Sequence, residues 1–244
     1  MNAALQTETA KFLRSRAPWA TAAAFLLPVA LSALFVGASG TPPLNEKSQA
    51  LGITPDWPGF RSSLMQIDAA GGFLLFGILV TWMFGREFSD RTVLDLLALP
   101  TSRTAIVLAK FTVITAWLIL LTGLQTAAWI ATGLLLGLPG APHHELPGLL
   151  VLLSLTAALA LPVALAASAG RGYLPGIAAT VALLVCGVAA AILGAAAWFP
   201  WALPAAVAGL TGAASLPLTA PAIAAVTAAA GIAATATWWR CADH

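Results

Sequence analysis

Six long apolar stretches separated by short polar ones organise this chain. They run from Pro18 to Ala38, about Leu64 to Phe84, Ala105 to Gly137, Leu149 to Ala169, Leu174 to Phe199, and about Ala220 to Trp239. A helix needs about 20 apolar residues to cross the hydrocarbon of a bilayer, so each stretch predicts one crossing. The third is too long for an upright helix and is expected to tilt or to project beyond the lipid. Unbroken apolar runs, without short segments of alternating polarity, mean helices rather than a barrel. Composition agrees: 60% of the 244 residues are hydrophobic and only 8% are charged, with a mean hydropathy of +0.92. A soluble domain carries about 25% charged residues, so soluble enzymes and disordered chains are excluded. The net charge of +2 gives no basis for a nucleic-acid partner.

Charge placement orients the helices. Lys and Arg collect on the cytoplasmic side of membrane proteins. With the N-terminus inside, that side receives nine: Lys11, Arg14, Arg16, Arg86, Arg91, Arg103, Lys110, Arg171 and Arg240. The outer side receives two, Lys47 and Arg61. The expected fold is therefore an all-α integral membrane protein with six transmembrane helices and both termini cytoplasmic, forming one transmembrane domain over residues 1–244. The bias to Arg, Ala, Gly and Pro fits a GC-rich bacterial genome, hence a bacterial cytoplasmic membrane. A cleaved signal peptide ending at Val36-Gly37-Ala38 is the rival for the first stretch, but that stretch exceeds the usual apolar length of about 7–15 residues. Cys186 and Cys241 fall at different depths and read as packing residues.

Three connecting segments carry their own expectations. Residues 1–16 place Leu5, Phe12 and Leu13 near one helical face, with Glu8, Lys11 and Arg14 elsewhere, so an interfacial helix is expected. The outer segment from Ser39 to Ser63 is Pro-rich and reads as irregular. The stretch from Pro200 to Pro221 has no charge at all. Such a segment is expected to form short helices or a re-entrant element shielded by protein.

Candidate chemistry is sparse. Gly37-Ala38-Ser39-Gly40 resembles the motif of an intramembrane serine protease, but no histidine lies inside a span to serve as base, and the motif reads as a turn. His143-His144-Glu145 lacks further ligands and reads as a solvated loop rather than a metal site. Asp68 has two readings. Either the second span begins near it and the carboxylate caps the first turn, or it lies within the span as a functional ionisable group. The first is the plainer one. Thr115, Thr122 and Thr126, with Gln125 alongside, form a polar stripe on the third span. Together with Asp68 they are candidates for a substrate path, although interhelical packing is the plainer role for the stripe. No other ionisable group falls near mid-span, so no proton relay is expected within the helices.

The segment from Gly85 to Thr104 concentrates the charge pattern. Thr92 and Asp95 have the spacing of a capping box, so a short helix is expected from Val93 until Pro100 stops it. Ser102 or Thr101 then caps the third span. A helix of about two turns is not stable alone, and Val93, Leu96 and Leu97 need a docking surface. A partner that changes shape could therefore push this helix and move the second and third spans.

Glu87, Asp90-Arg91-Thr92, Leu96-Leu97, Pro100, Ser102-Arg103 and Lys110 resemble the signature of permease subunits of type-2 ABC exporters, especially the small permeases of the bacitracin and lantibiotic-immunity kind. The resemblance implies a separate ATPase subunit that binds ATP and Mg, and a second permease copy or paralogue beside this one. It makes Glu87 and Arg91 anchors of a coupling loop, residues 85–104, whose Val93–Leu97 portion docks on the ATPase. In agreement, the chain has no phosphate-binding loop of the Gly-x-x-x-x-Gly-Lys-[Ser/Thr] type; no cofactor or metal is expected in it. The resemblance implies export of an amphiphile, such as an antimicrobial peptide, drug or lipid-like molecule. Two alternatives stay open: a membrane scaffold or sensor without a transport path, and a gradient-driven carrier using Asp68.

Overall fold

The computed structural model describes residues 2–38, 46, 53–92, 101–195, 198–210, 212 and 218–241. Among them every regular element is helical, and six helices are long and apolar enough to cross a membrane. They are α2 (Ala17–Ala38), α3 (Trp57–Ser89), α4 (Arg103–Leu135), a fourth span made of α5 (Leu146–Ala160) and α6 (Val163–Ala169), α7 (Tyr173–Ile192) and α9 (Ala220–Cys241). The count agrees with the sequence. Contacts of Glu8 and Glu87 with Lys110, and of Arg103 with Trp239, gather α1 (Asn2–Leu13), the end of α3, the start of α4 and the end of α9 at one end of the bundle, the terminal face.

The boundaries differ where local chemistry outweighs hydropathy. The second span starts at Trp57 rather than Leu64, because Asp56 caps it: its Oδ1 accepts from the Gly59 N–H at 2.8 Å, and Pro58 sits in the first turn. At 33 residues, α3 is about 50 Å long, well beyond the hydrocarbon thickness. Ser102 caps α4 through the Ala105 N–H at 3.2 Å, as expected. The fourth span is broken at Leu161-Pro162, since proline supplies no N–H to the preceding turn. Gly231 of α9 lies directly against Pro162, in space a side chain would need. The fifth span ends at Ile192 rather than Phe199, where Gly194 adopts a φ of +74° and closes the helix back onto Ala190 and Ala191.

Helix α3 is the spine. It packs against α2, α4, α5, α6 and α7 and buries most of its length. Against α7 the fit is reciprocal, with Gly77 facing Thr180 and Gly176 facing Thr81, so that small residues bring two backbones close. Aromatic pairs join the other seams: Phe25–Phe76 at 4.6 Å, Phe84–Phe111 at 4.7 Å and Trp57–Trp129 at 5.0 Å. The charge-free stretch forms a turn over Pro200–Ala202 and the short α8 (Leu203–Val207), whose residues are buried against α3, α5 and α7. Trp201 Nε1 donates to the Leu159 carbonyl at 2.9 Å, which fixes this element beside the proline break.

The N-terminal helix forms, with a different face inward. Ala4, Glu8 and Phe12 are buried, at helical spacing, while Leu13 is exposed. The apolar pattern misplaces this face because Glu8 has charged partners in the bundle that hydropathy does not register.

Candidate functional site

The last turn of α3, the second turn of α4 and the middle of α1 meet in a closed ring of charges. Lys110 Nζ donates to Glu87 Oε1 at 2.8 Å and to Glu8 Oε2 at 2.7 Å. Lys11 Nζ completes the ring, donating to Glu87 Oε1 and Glu8 Oε1, both at 3.2 Å. Lys110 is fully buried, and both carboxylates nearly so. Two ammonium groups balance two carboxylates, so no net charge is taken out of water, and each buried group has an opposite partner. The remaining oxygen of Glu87, Oε2, accepts from the Thr92 hydroxyl at 2.7 Å.

Thr92 opens the link to α4. Its N–H also returns to the Glu87 carbonyl at 3.0 Å, and Arg91 takes the left-handed φ of +56° that such a helix end requires. The Thr92 hydroxyl is thus committed to Glu87. Val93, Asp95, Leu96, Leu97 and Pro100, with the short helix expected over them, lie outside the described residues. Arg91 is exposed at the turn. On the other side of the link, Arg103 Nη1 donates to the Trp239 carbonyl at 3.4 Å, tying the start of α4 to the end of α9.

The substrate-path candidates separate into two groups. Asp68 is not a cap, because Asp56 holds that position; it lies three turns into α3 and is fully buried. Both its carboxylate oxygens accept from Gln125 Nε2 at 2.9 Å. Gln125 therefore faces α3. Its Oε1, the Thr126 hydroxyl and Trp129 Nε1 are buried without a hydrogen-bond partner among the described residues. Thr115 and Thr122 instead line a half-open groove of about 520 Å³ between α4 and α5, with Ser154, Gly123, Ala157 and Ala158. The lining is almost wholly apolar apart from these hydroxyls, and nothing lies within 4 Å of where a Gly123 side chain would begin.

Sequence reasoning missed Glu8 and Lys11 as members of the charged ring. The available signal was the spacing of Ala4, Glu8 and Phe12, four residues apart on one helical face. His143 and His144 lie in the turn Pro142–His144, both exposed, and the described residues contain no cluster of metal-ligating side chains.

Comparison with known proteins places this arrangement. The family model described as ABC-2 family transporter protein matches residues 4–187, which include most of α1, the charged ring and the groove. Bacitracin transport permease protein BCRB of Bacillus licheniformis is 31% identical over 81 residues, 33% of this chain and 37% of that protein. The match thus spans little more than a third of the relative's length. No solved structure matches the chain. With the family match extending over well more than half of its length, and six helices of membrane-crossing length and composition, the chain is a multi-pass membrane protein of the ABC-2 transporter family.

Proposed function

We propose that the chain is the permease subunit of an ATP-driven exporter in a bacterial cytoplasmic membrane, with both termini cytoplasmic. A separate ATPase subunit binds ATP and Mg and supplies the energy. Two permease copies, or this chain and a paralogue, form the transport path, each as a single transmembrane domain. The cargo is an amphiphile such as an antimicrobial peptide, in keeping with the bacitracin transport permease it resembles. The apolar, sparsely hydroxylated groove beside Thr115 and Thr122 favours such a molecule over an ion or sugar.

The observation that carries this reading is the position of Glu87. It is bonded to Thr92 at the root of the 93–102 link, to Lys110 on α4 and to Lys11 on α1. A displacement of that link by the ATPase is therefore delivered to three helices at once rather than absorbed by a loose loop. Arg91, exposed at the turn, and Arg103, braced on α9, flank the moving segment. Val93, Leu96 and Leu97 are its docking side chains, with Asp95 and Pro100 setting the ends of the short helix.

The test is ATP-dependent cargo movement in vesicles containing the full chain and its ATPase. Val93→Pro and Leu96→Pro should insert normally and lose at least about tenfold in transport, the effect of misplacing a coupling contact by about 1.4 kcal/mol. Wild-type transport in both variants, or solute movement by the chain with no ATPase present, would overturn the proposal. A gradient-driven carrier is the second reading, favoured by the buried carboxylate of Asp68. It requires proton-sensitive flux that disappears in Asp68→Asn.

A further inference from the structure

The corner between α1 and α2 is cationic, apolar and rigid. Arg14 and Arg16 are exposed, and neither guanidinium has a hydrogen-bond or ion-pair partner among the described residues. Leu13 and Trp19 flank them and are 58% and 79% exposed. The one acidic residue of α1 and α2, Glu8, is turned inward to Lys110 and Lys11. Burial of that acid strips the corner of its only local negative charge.

The turn itself is built. Ser15 Oγ donates to the Phe12 carbonyl at 2.6 Å and accepts from the Ala17 N–H at 3.2 Å. Phe12 packs edge-on against Trp82 at 5.9 Å and Trp117 at 5.4 Å. Trp117 Nε1 in turn donates to Thr21 Oγ1 on α2 at 3.0 Å. The backbone of the corner is thus anchored to α3 and α4, and its two arginines project from a built turn rather than from a loose tail. Arg86, stacked over Trp82 at 4.7 Å, brings a third guanidinium near the same rings.

The corner immediately precedes the first crossing, so it sits at headgroup depth, where a basic pair flanked by apolar side chains meets phosphate and acyl chain together. We infer that Arg14 and Arg16, with Leu13 and Trp19, form a binding site for an anionic phospholipid. The guanidiniums hold the headgroup phosphate by charge-assisted hydrogen bonds, and Leu13 and Trp19 contact the upper acyl chains. Charge complementarity selects the lipid, since an acidic headgroup keeps a net negative charge that a zwitterionic one lacks. The inference needs only that the chain is embedded in a membrane, and is independent of transport direction or cargo.

The full chain, purified in mild detergent and offered phosphatidylglycerol or phosphatidylcholine, would be weighed by native mass spectrometry. Wild-type protein should retain phosphatidylglycerol in preference, and added salt should weaken the retention. Each arginine-to-glutamine change should lower it roughly fivefold, and Arg14→Gln/Arg16→Gln by the product, with Arg240→Gln, at the end of α9, behaving as wild type. Should the double glutamine variant not fold, Arg14→Lys/Arg16→Lys keeps the charge and should retain the lipid more weakly than wild type, with the same preference. Equal retention of both lipids overturns the inference, as does undiminished phosphatidylglycerol binding in the double glutamine variant. Loss of the ATPase subunit from that variant with lipid retention unchanged also overturns it, because the corner would then be a protein-docking surface.

Discussion

Two acidic sites are buried along the same pair of helices, and they are solved differently. At the terminal face, Glu87 and Glu8 are matched by Lys110 and Lys11 in a closed ring in which each charge meets two of opposite sign. Deeper in the bundle, Asp68 has one hydrogen-bond partner among the described residues, the amide of Gln125, and that amide's own oxygen is left without one. The first arrangement is saturated and joins three helices. The second is polar glue between two helices, with hydrogen-bonding capacity to spare. The contrast follows from depth: long lysine side chains at a helix end can reach both a carboxylate and the boundary, whereas mid-span only short polar groups are tolerated.

The sharpest way to break this comparison is Lys110→Met. It removes the buried cation that both carboxylates share, and should destabilise the fold by about 3–5 kcal/mol, read as a lowered unfolding midpoint in detergent. Adding Glu8→Gln and Glu87→Gln to that variant should recover much of the loss, since no uncompensated charge then remains buried. A wild-type midpoint for Lys110→Met alone would mean that the ring is incidental to the fold. Gln125→Leu comes next. It strips Asp68 of its donor and should cost about 1–3 kcal/mol, less than the ring because a single neutral hydrogen-bonding group is lost.

Asp68→Asn should be milder, within about 1 kcal/mol of wild type, as the amide keeps the shape and can still bond to Gln125. In an ATP-driven exporter it should leave cargo movement intact; abolished movement with an unchanged midpoint would assign Asp68 a role beyond packing. The smallest stability effect is expected for Gly123→Leu, within about 0.5 kcal/mol, because its side chain enters open space. If the groove carries the apolar part of the cargo, transport should fall nonetheless. Unaltered transport would remove the groove from the path.

Several features were legible in the residues themselves. The six crossings follow from apolar runs that no other environment accommodates, and the Glu87–Thr92 and Lys110 positions stood out as a charged motif between two such runs. Glu87 and Lys110 proved to be direct partners. Other features were hidden for identifiable reasons. The start of α3 lay within a proline-rich polar segment, where only Asp56 and Pro58 signalled a helix, and this shifted Asp68 from a supposed cap to a buried interior site. The Pro162 break interrupts a run whose hydropathy does not falter. Glu8 looked solvated because a helical wheel assigns charge to the wet side unless the partner is known.

By itself, the sequence determined the solvent this chain lives in and the number of its crossings. Those properties are sums over neighbouring residues: transfer of apolar side chains, capping, and charge excluded from lipid. Tertiary structure alone decided which charges face inward and with whom, why Gln125 leaves the threonine stripe to meet Asp68, and where α4 and α5 part to open a groove. Those depend on contacts between residues far apart in the chain, such as Glu8 with Lys110, whose energies exist only after the helices have packed.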